Sequence, residues 1–304
     1  MVEDDESELN VGDLLDGKYL VVRRIGTGGM GVVHAVKRVA LGDVVAIKSL
    51  LRSQNTPTNR ARFMREAQAA ARIRHPNVVQ VFDFASPVRR TPYLVMEYLE
   101  GPTLGEAMGS RTVMPLVRAL AIFGRICAAV EAGHRRGVVH RDLKPGNVIL
   151  ARSDDGRETV KVLDFGLARM LHDPGAELTR PGALLGTISY MAPEQVEHGE
   201  ATPASDVFAL GVILYELATG VVPFRGTHHV GTLLAISEGK FDDPRELVSD
   251  IPDAMAEAIL AALARDPAER PRSAQALAEL AGSYAPEPWV GGDSGEIPIA
   301  PRSS

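Results

Sequence analysis

Three oxygen-bearing side chains stand close together in the middle of this chain. Asp142 and Asn147 lie in His140-Arg141-Asp142-Leu143-Lys144-Pro145-Gly146-Asn147, and Asp164 opens Asp164-Phe165-Gly166. Strand-like runs, Val148 to Leu150 and Val160 to Leu163, separate the two stretches as a hairpin. Loop positions flanked by strands would present carboxylates to a proton and to a divalent metal in one place. The chemistry this suggests is phosphoryl transfer, in which most of the catalysis is positioning and charge neutralisation.

Elements must hold those loops, and the composition allows them. The 304 residues, 45% hydrophobic and 24% charged, have globular composition and length for a large core or two lobes. A net charge of -6 and a pI near 5.8 argue against a nucleic-acid or membrane binder that works by bulk charge. The single Cys127 excludes an intrachain disulfide and a cysteine-rich zinc site. It falls on the helical stripe Leu116, Leu120, Phe123, Cys127, Val130 and reads as an inert core thiol. The acidic start MVEDDESELN is unlike a secretory signal, and no apolar run reaches the roughly 18 residues of a membrane span. A soluble, cytoplasmic chain is expected.

Residues 1–16 read as a flexible acidic lead-in. Tyr19 to Val22 then enters Ile25-Gly26-Thr27-Gly28-Gly29-Met30-Gly31-Val32-Val33. Glycines allow backbone to approach phosphate oxygens closely. A dinucleotide-binding fold needs a helix directly after such glycines. Here β-branched residues follow instead and run to the turn at Gly42-Asp43, so a strand-loop-strand hairpin is expected.

On the next strand Ala46, Lys48 and Leu50 share a face, and on the helical segment Arg60 to Arg74, Glu66 falls on the stripe of Phe63, Ala70 and Ile73. Two opposite charges aimed inward suggest an ion pair; snorkelling of both to solvent is the other reading. Strands at Val78 to Phe84 and Tyr93 to Glu97 precede Glu100-Gly101-Pro102-Thr103, where strand character ends, so a lobe boundary is placed at 97–103. Beyond it come a helix from about Pro115 to Arg136 and a long connection from Leu167 to Met191. Thr202-Pro203 caps a helix whose run Val207 to Leu217 is apolar nearly all round. Its lone early carboxylate, Asp206, should meet backbone amides of the His140 loop. Helical patterns continue through Gly231 to Glu238, Asp253 to Ala264 and Ser273 to Ala281; His228 and His229 read as plain loop residues, and the tail from Pro286 as disordered.

The ordered set Gly26-x-Gly28-x-x-Gly31-x-Val33, Ala46-Ile47-Lys48, Glu66, His140-Arg141-Asp142 with Asn147, Asp164-Phe165-Gly166, Ala192-Pro193-Glu194, Asp206 and Arg270 resembles the eukaryotic-like (Hanks-type) serine/threonine protein kinases, particularly their bacterial branch. The resemblance covers about residues 17–282. It implies an α+β bilobal kinase fold: a small β-rich N-lobe with one helix (about 17–97), a hinge (about 97–103) and a larger, mainly helical C-lobe (about 104–282).

It also implies roles. The glycine loop, Ile25 to Gly31, would cover the ATP phosphates, with Lys48 held by Glu66 against the α and β phosphates. Asn147 and Asp164 would bind Mg²⁺, with Mn²⁺ as a substitute. Asp142 would take the proton of the substrate hydroxyl, and Lys144 would neutralise the transferring phosphoryl. Val33, Ala46 and Ile149 would sandwich adenine, Met96 would guard the deeper pocket, and the backbone of Glu97 and Leu99 would bond the base edge.

Lys144 and Thr187 resemble the serine/threonine class, and Glu194 and Arg270 resemble a buried structural ion pair. Arg141 would bind a phosphorylated residue in the segment after Asp164, with Thr179 as the candidate. Pro181 stands near where relatives carry a second phosphorylatable threonine. The implied partners are ATP, proteins bearing serine or threonine, and a second copy of the chain for trans-autophosphorylation. A pseudokinase scaffold would require damage to Lys48, Asp142, Asn147 or Asp164, and none is damaged.

Overall fold

The structure is a computed structural model that describes residues 9–28, 31–87, 91–109, 114–152, 156, 158–165 and 188–283. Strand-rich sequence comes first and helix-rich sequence second, and each folds around its own core. In the N-terminal part, β1 (Leu14–Leu15), β2 (Tyr19–Thr27), β3 (Gly31–Arg38), β4 (Val44–Leu50), β5 (Val81–Ala85) and β6 (Tyr93–Glu97) form one antiparallel sheet in the order β1-β2-β3-β4-β6-β5. β3 continues directly from the glycines, pairing Gly26 with Val33 and Thr27 with Val32. This is the hairpin that the β-branched residues call for, and it excludes a helix at that point.

β1 lies inside the stretch expected to be a loose lead-in. The sequence disguises it, because two leucines sit among acidic residues. Leu15 is buried with Tyr19, Val21, Val36 and Tyr93, and Leu9 packs on the same cluster. The Tyr93 hydroxyl donates to Asp16 across the sheet. Hydrophobic burial thus draws residues 9–16 into the small lobe.

Helix α1 (Pro57–Ala70) crosses the sheet and starts a few residues before the Arg60 that the apolar stripe marks. The reason is local: Thr56 accepts from Asn59 N at 3.2 Å and Pro57 takes the first helical position. Phe63, Glu66, Ala67 and Ala70 form its buried face.

The chain leaves β6 at Glu97 and enters α2 (Leu104–Met108) through a capping box between Thr103 and Glu106. The connecting strap is fastened to β7 (Val148–Arg152) by Leu150 N to Pro102 O and Arg152 N to Glu100 O. Gly101 is required there: at φ 151°, a Cβ would stand 2.1 Å from Leu150 O.

Three helices build most of the second core. α3 (Leu116–His134), α5 (Pro203–Thr219) and α8 (Asp253–Ala262) pack together, preceded or joined by α4 (Pro193–His198), α6 (His229–Glu238), α7 (Pro244–Leu247) and α9 (Ala274–Leu280). α5 is buried from Ser205 through Tyr215 without a break, as its apolar sequence requires. Gly211 lets α8 approach it, since a Cβ there would lie 2.6 Å from Ala262 Cβ. Cys127 is wholly buried in this core, and burial pushes its thiol well above the ordinary range. His228 and His229 serve as the cap and first residue of α6.

Candidate active site

The loop from His140 to Asn147 is fixed from below by α5. Asp206, 1% exposed, accepts His140 N at 2.7 Å and Arg141 N at 2.9 Å. His134, in the last turn of α3, brings its Nε2 to 2.7 Å from the same carboxylate. The pairing of Asp206 with backbone amides follows from burying a carboxylate on an apolar helix; His134 as a further donor was not legible. His140 is fully buried, donates from Nε2 to Leu163 O at 2.8 Å, and lies 4.9 Å from the Phe165 ring. Phe165 in turn rests on α3 at Gly133, where a Cβ would come within 2.5 Å of the ring.

On this support Asp142 projects into the cleft. Lys144 Nζ donates to its oxygens at 3.0 and 2.8 Å. Asn147 Nδ2 donates to Asp142 O at 2.7 Å and Oδ2 at 3.2 Å. The amide nitrogen is thereby committed and Oδ1 of Asn147 remains as a hard oxygen donor. Leu163 N bonds Asn147 O at 2.8 Å, which sets the two metal candidates, Asn147 and Asp164, beside one another. One carboxylate and one amide oxygen are too few for an all-protein cation cage, and among the described residues no cluster forms one. They do suit magnesium, which keeps several waters and shares its shell with phosphate oxygens.

Asp164 carries φ 60° and Arg141 φ 73°, left-handed values that non-glycine residues adopt at a cost of about 1–3 kcal/mol. Two of the three such residues among the described ones therefore sit in these loops. Burial pushes the Asp164 carboxyl up, but Lys48 beside it, then His140 and Lys144, outweigh burial and hold it below the usual range.

Lys48 Nζ lies 2.6 Å from Asp164 Oδ1, and this ion pair replaces the expected one with Glu66. Glu66 does face inward, 9% exposed, and finds its contact elsewhere. Asp164 makes this contact from a left-handed backbone, whereas Glu66 reaches toward the core from a helix. Periodicity gives the inward direction of Glu66, and no local pattern ranks it against the loop carboxylate of Asp164.

Above the cleft, Ala46 and Met96 form a small apolar cluster with Val79, against which Val33, Leu99 and Leu163 pack. Val79 and Leu163 were missed, because each reads simply as a strand residue. Ile149 is half-buried on β7, where it bridges Thr103. Glu97 N bonds Gln80 O at 2.9 Å and so is not available to a base. The Glu97 side chain is also engaged, receiving Lys161 Nζ at 2.8 and 2.9 Å and Gln80 N at 2.6 Å.

The glycines divide by cause. Gly31 is needed by the fold, since its Cβ would lie 2.3 Å from Ser49 O; at Gly26 nothing stands within 4 Å and at Gly28 only Gly31 O at 3.9 Å. The last two leave room for an outside group. Ile25 and Thr27 flank them at the end of β2. Gly29, Met30, Gly166, Thr179, Pro181 and Thr187 lie outside the described residues.

Away from the cleft, Glu194 and Arg270 pair bidentately at 2.8 and 2.9 Å. Every guanidinium N–H is used, the rest going to the carbonyls of Ala204, Ala264 and Arg265. The cation also lies 5.0 Å from the Phe208 ring centre. Burial raises the Glu194 carboxyl, and hydrogen bonds from Arg270 and Ser205 more than reverse this. Tyr190 donates to Glu216 at 2.5 Å, a half-buried pair that sequence reading did not find, and burial raises both groups.

A bilobal fold with a glycine hairpin over a lysine, and below it a pinned loop bearing Asp142 and Asn147 opposite Asp164, defines the class. The protein kinase domain family matches residues 19–280, and the chain belongs to that family, in its bacterial serine/threonine branch. Serine/threonine-protein kinase pkn3 of Myxococcus xanthus is 39% identical over 279 residues, 89% of this chain and 50% of that protein. Serine/threonine-protein kinase PknL of Mycobacterium tuberculosis is 39% identical over 267 residues, 87% of this chain and 65% of its own. The chain therefore spans about half to two thirds of these relatives' length. The crystal structure of the Mycobacterium tuberculosis PknI kinase domain superposes with a TM-score of 0.71 at 27% identity, covering 90% of this chain and 99% of that one. Among the described residues no helix is long and apolar enough to cross a membrane.

Proposed function

We propose that this chain transfers the γ-phosphate of ATP to serine or threonine hydroxyls of proteins in bacterial signalling. The observation that carries the proposal is the arrangement of Asp142, held by Lys144 and Asn147, on a loop anchored to Asp206 and facing the Lys48–Asp164 pair. Asp142 orients the substrate hydroxyl and accepts its proton as the oxygen attacks. Lys144, already at the carboxylate, neutralises the phosphoryl oxygens as charge spreads over them. Lys48 contacts the α and β phosphates under the hairpin, where Gly26 and Gly28 leave space, and the cluster of Val33, Ala46, Met96 and Leu99 with Ile149 receives the adenine.

Asn147 and Asp164 would hold Mg²⁺, or Mn²⁺ in its place; the metal neutralises phosphate charge. Intact Lys48, Asp142, Asn147 and Asp164 weigh against a nucleotide-binding scaffold without activity. The reading places the chain in the cytoplasm, where ATP is supplied, and includes autophosphorylation in trans between two copies. Arg141 would bind phosphate on Thr179, and Thr187 would help hold the substrate-binding segment. Incubation with Mg-ATP followed by phosphosite mapping tests activity and residue class together. Phosphate on Ser or Thr, with Thr179 among the sites, is the expected result; no incorporation by freshly purified protein contradicts it.

A further inference from the structure

We propose that Gln195 is a positioning residue for the catalytic loop: its side-chain amide donates to Arg141 O and so fixes the peptide that carries Asp142. This rests on the kinase reading of Asp142 given above. Gln195 is 6% exposed and lies on the first turn of α4. Its Nε2 lies 3.0 Å from Arg141 O, and its Oε1 accepts Ala192 N at 3.0 Å. Only one orientation of the amide serves both partners. The flipped form would set N–H against N–H and oxygen against oxygen.

The carbonyl it holds belongs to a residue with φ 73°, a conformation that persists only where the surroundings over-determine it. Asp206 grips the N–H side of Arg141 at 2.9 Å, and the peptide that follows is steadied by a second grip on its carbonyl. Gln195 supplies that second grip. Rotation of the Arg141–Asp142 peptide would carry the Asp142 carboxylate away from Lys144 and Asn147, so the grip acts on the proton acceptor through one peptide.

Gln195 is also well supported. The preceding residue, Glu194, is locked bidentately to a guanidinium with every N–H used. The chain of contacts from Arg270 through Glu194 and Gln195 to Arg141 O connects the buried ion pair to the catalytic loop. The ion pair thereby acquires a role besides stability, as the rigid base from which the loop is aimed.

The two functions of the amide, acceptor for the helix cap and donor to the loop, separate in one substitution. Gln195→Glu keeps an acceptor for Ala192 N, in a helix first turn that favours negative charge, but turns a lone pair toward Arg141 O when ionised. When protonated, the new carboxyl offers an O–H in place of the lost N–H. Burial raises its titration, while the helix first turn and the Ala192 amide lower it.

The experiment measures kcat and KM for ATP of wild type and Gln195→Glu from about pH 6 to about pH 8.5, with thermal melting of each. At high pH, kcat of the variant is expected to fall by roughly 10- to 100-fold, with KM for ATP within about twofold. The ratio of variant to wild type should climb several-fold as pH is lowered. A variant kcat at wild-type level across the whole range overturns the donor role. If the charged variant does not fold, Gln195→Met carries the test: it fills the volume with neither donor nor acceptor, and kcat equal to wild type overturns the proposal. Inactive wild-type protein would instead sink the kinase reading itself.

Discussion

Replacing Gly133 with alanine sets two effects of known size against each other. Gly133 lies in the last turn of α3, where alanine is preferred over glycine by at most the helix-interior value of about 1 kcal/mol. At this position, however, the added Cβ would meet Phe165 Cε1 at 2.5 Å, Cδ1 at 3.0 Å and Val138 O at 3.2 Å. Carbon contacts settle near 3.5–4.0 Å, so the ring must withdraw by roughly 1 Å. Phe165 is 1% exposed and has His140 4.9 Å from its ring, so a shift of the ring displaces packed neighbours. Overpacking of this kind costs about 1–3 kcal/mol. The sum is a destabilisation of about 0–2 kcal/mol, or a melting temperature lowered by several degrees at most.

Activity should suffer more than stability. Phe165 follows Asp164 directly, and a displacement of about 1 Å in a reacting group can cost on the order of 100-fold in rate. Gly133→Ala should therefore melt close to wild type yet transfer phosphate at least about tenfold more slowly, as read by differential scanning fluorimetry beside a kinase assay. A variant that is more stable and fully active would show that helix propensity wins and that Phe165 does not couple α3 to Asp164.

Asp206→Asn keeps the shape but not the acceptors for the three donors from His134, His140 and Arg141, so urea denaturation should show a loss of about 2–5 kcal/mol together with lower kcat. Arg270→Lys replaces a planar fork by a point donor and should cost about 1–3 kcal/mol at neutral pH. The acid limb tests the sign: the Glu194 carboxyl is depressed in the folded protein, so its stabilisation is present above its ordinary value of 4.5 and lost as pH falls through the lower folded value. Melting temperatures of Arg270→Lys and wild type, well apart at pH 7, should draw closer below about pH 4, the remaining gap being the lost bonds to the carbonyls.

What could be read from the chain was whatever depends on local spacing or on the cost of burial. The strand after Gly31, the entry of α5 at Thr202-Pro203, and the bond of Asp206 to the amides of its neighbouring loop all follow from such rules. The Glu194–Arg270 pair was reached by resemblance to a family pattern, and the structure supplies the reason, a fully satisfied guanidinium. What stayed hidden depends on which of several candidates meets a given group. Lys48 could meet the carboxylate of Glu66 or that of Asp164, and local spacing does not say which; the structure shows Asp164. Gly133, Lys161 and Gln195 act through partners 32, 64 and 54 positions away, respectively, and no local pattern marks them. β1 escaped because a two-residue strand carries no periodicity at all.

The central claim is that Asp142 is the proton acceptor of a phosphoryl transfer to protein hydroxyls. Transfer of label from γ-labelled ATP to a generic basic protein, compared between wild type and Asp142→Asn, addresses it most directly. The account predicts incorporation into serine and threonine by the wild type and a loss on the order of 100-fold or more in the variant, with folding preserved. Equal labelling by the two proteins would contradict it.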